Sequence, residues 1–150
     1  METTEKKVLV ALSDSMNSKA VIDFIINLPL NPELLHICLL HIFRKSSASE
    51  ELMGKKFTAE QPDKMIAMLE KAKDHLVKNG FLSNKVDIEI VQHKYPNVTD
   101  GIIDQHQKQR YDVVVIGRKK MSKAEEYVMG DISIKLIRML EGAAVLVVKP

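Results

Sequence analysis

The sequence predicts an α/β fold: an open, five-stranded parallel sheet sandwiched by helices. Three observations carry that prediction. Short, unbroken apolar runs recur at Val8-Leu9-Val10-Ala11-Leu12, Ile37-Cys38-Leu39-Leu40, Val113-Val114-Val115-Ile116 and Ala143 to Val148. Runs of this kind suit strands buried on both faces, as in a parallel sheet covered by helices. Amphipathic stretches alternate with them and supply the crossovers that parallel neighbours need. The chain of 150 residues is one domain's worth of sequence, expected to form a single unit over 1–150.

The first strand is Val8 to Leu12. Ser13-Asp14-Ser15 then offers helix-capping side chains. Met16, Ala20, Val21, Phe24, Ile25 and Leu28 follow at the spacing of one helical face. Pro29 and Pro32 end that helix. A second strand lies within Leu34–Phe43. Arg44 to Lys56 is polar, Ser-rich and aperiodic, and reads as a mobile loop. Thr58 and Gln61 have capping-box spacing. Met65, Met68, Leu69, Ala72 and Leu76 then mark a long helix closing at Gly80. From Lys85 to His93 the pattern alternates, with Val86, Ile88, Ile90 and Gln92 on one face, as in a less buried edge strand. Asn97 caps a helix containing Ile102 and Ile103. Val113 to Ile116 is the fourth strand, about Asp131 to Leu140 a helix, and Ala143 to Val148 the fifth strand.

Composition narrows the function. Apolar residues at 45% and charged residues at 28% suit a globular chain with a real core. A net charge of +2 is too small to suggest general binding to nucleic acid or anionic membrane. The single cysteine excludes an internal disulfide framework and fits a reducing compartment. Met1 to Lys7 is polar and charged, unlike a signal peptide, and no apolar run approaches the ~20 residues of a membrane span. A cytoplasmic location is expected.

Open parallel sheets bind ligands beyond the carboxyl ends of their strands, where strand order reverses. Here that point falls between strands one and four. Ser13-Asp14-Ser15 follows strand one. Gly117-Arg118-Lys119-Lys120-Met121-Ser122-Lys123 follows strand four and leads to Gly130-Asp131-Ile132-Ser133 at a helix start. Glycine permits close backbone approach, a helix N-terminus presents free N–H groups, and four cations add positive potential. These are the parts of a phosphate cradle.

The same residues resemble the universal stress protein family, small α/β proteins with an ATP-binding branch. That branch has a phosphate loop G-x-x-G, nine residues, then G-[ST]. Gly117 begins the pattern here, Lys120 holds the second glycine position, Met121 to Met129 supply the nine, and Gly130 is the third glycine. Val8 to Leu12, Leu39-Leu40-His41-Ile42, Asp112 to Gly117 and Ala144 to Val148 match four further family segments in order. The resemblance implies strand order 3-2-1-4-5 in a Rossmann-like, adenine-nucleotide-hydrolase-like layer fold. It also implies a homodimer through the last strand. By resemblance the nucleotide site comprises Leu12, Ser13, Ile42, Ile116, Gly117, Lys119, Lys120, Gly130, Asp131, Ile132 and Ser133. Ile42 would lie against adenine, and the backbone of Gly117, Gly130 and Ile132 near phosphates.

Three departures bear on that site. Ser13 replaces the Asp that closes strand one in the ATP-binding branch, with Asp14 in the next place. Lys120 replaces a glycine, and Asp131 replaces the Ser or Thr. A carboxylate about 4 Å from a phosphate oxygen repels it by roughly 1 kcal/mol in water and about 4 at intermediate dielectric. The expected function is therefore a non-catalytic stress-response homodimer with impaired or absent ordinary ATP binding. It requires no cofactor and acts through protein partners. The alternative is an adenine-nucleotide sensor that binds ATP with Mg, Lys119 and Lys120 replacing lost contacts, with at most slow hydrolysis.

Other candidate groups have simpler explanations. His36 and Cys38 share a strand face and could form an imidazole–thiolate pair. Packing of both beneath a helix is preferred, because a lone buried Cys usually behaves as a small hydrophobe. A hydrolase using Asp14 or Cys38 lacks a partner group. His41 is expected to pack or to anchor loops. Asp104 and His106, two apart on a helix, face different ways. His75 and His93 have no partner at metal-ligand spacing, so no metal site is expected.

Overall fold

The computed structural model describes residues 4–13, 18–44, 62–118, 123 and 132–149. Its strands are β1 (Lys6–Ala11), β2 (Leu35–Arg44), β3 (Val86–Tyr95), β4 (Val113–Gly117) and β5 (Ala144–Val148). Its helices are α1 (Ser18–Asn27), α2 (Pro62–Lys78), α3 (Val98–Lys108) and α4 (Ile132–Met139). All strand pairs are parallel, in the order β3-β2-β1-β4-β5. Sheet order therefore reverses between β1 and β4, as the sequence predicts.

Alternation along the strands builds two cores. Val8, Val10, Leu12, Ile37, Leu39 and Val115 meet α1 and α2 through Val21, Ile22, Ile25, Leu69 and Leu76. Leu9, Ala11, Cys38, Leu40, Ile42, Val114 and Ile116 meet α3 and α4 through Ile102, Ile103 and Leu136. Burial on both faces explains why β1 is apolar without interruption from Val8 to Ala11, after the exposed Lys6 and Lys7. The edge strand β3 alternates because Val86, Ile88 and Ile90 join the first core while Asp87 stays exposed. Gln92 is exposed, so the apolar side of β3 ends before it.

The helix termini follow local chemistry. Pro62 opens α2, where its missing N–H costs nothing, and Gly80 beyond its end adopts φ +100. Asn97 caps α3 by accepting from the Asp100 N–H at 2.9 Å, while its amide donates to the Asp100 carboxylate at 2.9 Å. Phe24 departs from its expected place in the α1 face: Val21, Ile22 and Ile25 fill the contact with the sheet and leave Phe24 41% exposed. Met16, the Ser-rich loop after Arg44 and the Thr58–Gln61 capping pair lie outside the described residues.

Candidate functional site

The carboxyl ends of β1 and β4 lie side by side, which brings Leu12 and Ser13 near Gly117 and Arg118. Leu12 leaves the strand with its N–H donated to the Leu40 carbonyl at 2.8 Å. Its own carbonyl accepts from His41 Nδ1 at 2.7 Å. A carbonyl can only accept, so the proton of that bond sits on Nδ1. His41 is 1% exposed and meets Phe43 edge-on, with ring centroids 4.8 Å apart. It thus anchors the end of β1, as expected from sequence. Ser13 is buried, and its carbonyl accepts from the Ser18 hydroxyl at 2.8 Å, tying the β1 exit to the first turn of α1.

On the other side of the mouth, Gly117 is buried and the Arg118 N–H donates to the Val148 carbonyl at 2.9 Å. Ser133 is buried in the first turn of α4, which begins at Ile132. Lys135 on α4 reaches Asp100 on α3 at 2.7 Å and links the two helices near their starts. Both groups are partly exposed, so this link contributes less than about 1 kcal/mol. Lys119, Lys120, Gly130 and Asp131 lie outside the described residues. The structure thus brings together Leu12, Ser13, Ile116 and Gly117 at the switch point and places Ser133 on the helix that follows.

Ile42 is 4% exposed and closed beneath α3. A Cβ on Gly101 would lie 2.5 Å from its Cδ1, 2.9 Å from its Cγ2 and 3.1 Å from the Tyr95 ring. Gly101 is therefore a close-approach glycine that seats α3 on β2. The sequence reading passed over it. The available signal was a lone glycine inside a helical pattern just before Ile102-Ile103.

His106 also holds the structure together. The Tyr111 N–H donates to its Nδ1 at 3.2 Å, so Nε2 carries the proton and donates to the Glu141 carbonyl at 2.9 Å. One buried imidazole thereby joins the segments leading into β4 and β5. Asp104, two residues earlier, faces elsewhere: it accepts from the Tyr95 hydroxyl and pairs with Lys108 at 3.0 Å. The two residues form no dyad, as expected.

The His36–Cys38 alternative also resolves. Cys38 is buried and directed at Glu89, with the thiol 3.7 Å from the carboxylate. His36, expected to pack beneath a helix, instead sits partly exposed between Glu5 at 3.4 Å and Asp87 at 2.5 Å. Asp87 on the neighbouring strand β3 and Glu5 just before β1 supply the carboxylates that the ring meets there. Burial first, then the Glu89 charge, pushes the Cys38 thiol up to about 12. Burial likewise raises the Tyr111 phenol.

A raised acid pKa means that the unfolded chain sheds its proton first. Stability should therefore be intact below the ordinary thiol value of about 8.5 and fall as pH rises toward about 12. At pH 8 the native thiol should react with a disulfide reagent at least about tenfold more slowly than the denatured chain, because the thiolate is the nucleophile. Equal rates would contradict the buried thiol. Among the described residues no three His, Cys, Asp or Glu side chains could hold a metal ion, and no helix is long and apolar enough to cross a membrane.

The same architecture occurs in solved structures. A universal stress protein in complex with cAMP aligns at TM-score 0.63 and 16% identity, covering 97% of each chain. A universal stress protein family protein from Arabidopsis thaliana with AMP bound aligns at 0.64 and 19%, covering 96% of this chain and 91% of that one. The universal stress protein from Archaeoglobus fulgidus in complex with dAMP aligns at 0.58 and 14%, covering 99% and 100%. No curated protein sequence matches. The sequence model of the universal stress protein family matches residues 5–149, nearly the full length. The chain therefore belongs to the universal stress protein family.

Proposed function

We propose that this chain is a non-catalytic binding protein, acting as a homodimer in the cytoplasm, whose switch-point cleft has lost ordinary ATP binding. The observation that carries the non-catalytic reading is the makeup of the mouth. Leu12, Ser13, Ile116, Gly117, Arg118 and Ser133 supply no carboxylate among the described residues, and the nearby imidazole of His41 is committed to the Leu12 carbonyl. Activating an attacking water needs a positioned general base, and none of these residues is a carboxylate or a histidine. The reading of impaired binding rests on Asp131 and Lys120. Asp131 immediately precedes the first residue of α4, the position from which a carboxylate occupies the helix-terminal field that would attract a phosphate.

Nucleotide sensing is the second reading, favoured by relatives that hold cAMP, AMP or dAMP. In that case Leu12, Ser13, Ile42, Ile116 and Gly117 would surround the nucleoside, Ile42 through its main chain because its side chain is packed against Gly101. Lys119, Lys120, Gly130, Asp131, Ile132 and Ser133 would surround phosphate, with Mg accompanying a triphosphate.

The dimer reading rests on two surfaces on one side of the molecule. Among the described residues β5 is a sheet edge of apolar residues without a strand partner on its outer side, which ordinarily needs covering. Beside it α4 exposes Ile134 at 51%, Ile137 at 62% and Met139 at 51%. A second copy would cover both.

Calorimetric titration with Mg-ATP, AMP and cAMP at low and moderate salt tests the cleft. No saturable binding of Mg-ATP below millimolar concentration is expected. Micromolar binding that survives moderate salt would overturn the proposal in favour of the sensor.

A further inference from the structure

We propose a second ligand site, in the groove between α1 and α2, that takes a small amphiphilic anion: an alkyl or aryl body with one acidic head. The groove encloses about 450 Å³, within the size range of small-molecule sites. Its floor is apolar, built from Ile22 on α1 and from Met68 and Ala72 on α2. Lysines stand around it, Lys19 from α1 and Lys71 and Lys78 from α2, against one aspartate, Asp74.

These cations are uncommitted. Among the described residues no carboxylate lies within ion-pair distance of Lys19, Lys71 or Lys78, although Asp74 lies on the same helix three residues after Lys71 and four before Lys78. His75 at the rim is engaged by Asp23 at 3.1 Å. An apolar trough with a surplus of unpaired ammonium groups is complementary to a molecule apolar along its body and negative at its head. Lysine suits this role, since its flexible stem lies along apolar surface while the ammonium stays in water and follows the head group.

A nucleotide is a poorer match. Most of the groove wall is helix side, which presents side chains, and only Ser18 and Lys19 at the start of α1 bring first-turn backbone to it. The groove shares no residue with the switch-point set, although Ser18, which lines it, donates to the Ser13 carbonyl at 2.8 Å.

The test is a titration of the full chain with octanoate, octyl phosphate, octanol and octylamine below their aggregation limits, followed by calorimetry and backbone amide shifts. Saturable binding of octanoate or octyl phosphate is expected, with shifts confined to α1 and α2, and the stronger of the two identifies the head group. Octanol should bind at least tenfold more weakly, and octylamine not at all. Lys19→Glu with Lys71→Glu should weaken the anion at least tenfold, while Lys6→Glu with Arg110→Glu, equal in charge change but outside the groove lining, should leave it unchanged. The proposal is overturned by no saturable anion binding at millimolar concentration, by shifts centred elsewhere, by octylamine binding as well as octanoate, or by equal losses in both double variants.

Discussion

Replacing Lys120 by Gly and Asp131 by Ser together should raise the affinity for Mg-ATP at least about tenfold, a change of about 1.4 kcal/mol. Two effects contribute. Asp131 stands directly before Ile132, where α4 begins, so its carboxylate would compete with phosphate for the same helix N-terminus. Removing a like charge at about 4 Å relieves roughly 1 kcal/mol in water and about 4 at intermediate dielectric. Restoring glycine at 120 removes a side chain where the family loop lets phosphate approach the backbone. The loss of the Lys120 charge opposes both, so the two single variants are informative. Asp131→Ser alone should account for most of the gain, and Lys120→Gly alone for little. Titration of all four proteins measures this, and an unaltered affinity in the double variant would mean that the site is disabled elsewhere, with Ser13 and Asp14 the next positions to change.

Ile137→Lys should convert a dimer into a monomer in sedimentation velocity, and Val147→Lys on the neighbouring strand should do the same. Ile137 is 62% exposed, so lysine there leaves the folded protomer intact, and any fall in its thermal midpoint should be only the concentration-dependent part that dimerisation contributes. Burying an isoleucine contributes about 1.5–3 kcal/mol, and two-fold symmetry counts each substitution twice. The dimer should therefore weaken by about 3–6 kcal/mol, which is roughly two to four orders of magnitude in dissociation constant. Val147 is half-buried against the core beneath α4 and so also tests the protomer. Sedimentation as a dimer in both variants would place the interface elsewhere.

The sequence determined the architecture because the physics that selects it is local and periodic. A strand covered on both faces tolerates a polar residue only where, as at His41, a hydrogen bond satisfies it. Strands β1, from Val8 onward, and β4 therefore announce themselves as unbroken apolar runs, and the alternation in β3 marks it as an edge. The resemblance to the universal stress protein family supplied the strand order, and that order places the switch point after Leu12 and Gly117 without coordinates.

Tertiary structure alone decided the rest, because contact between residues far apart in sequence has no local signature. Helical spacing put Phe24 in the α1 face, and only the seating of that helix on the sheet leaves it exposed while Val21, Ile22 and Ile25 are covered. The pair His36–Cys38 looked alike in sequence. Packing buries the thiol beside Glu89 and leaves the imidazole among carboxylates at the strand end. Gly101 shows its purpose only when Ile42 is seen beneath it, and His106 only when the Tyr111 amide and the Glu141 carbonyl converge on its ring. The lysines gathered between α1 and α2, and the isoleucines that α4 turns outward, depend on what each helix happens to lie against. Periodicity specifies which face of an element is apolar, whereas the partner that covers that face, or fails to, is set by the packing of the whole chain.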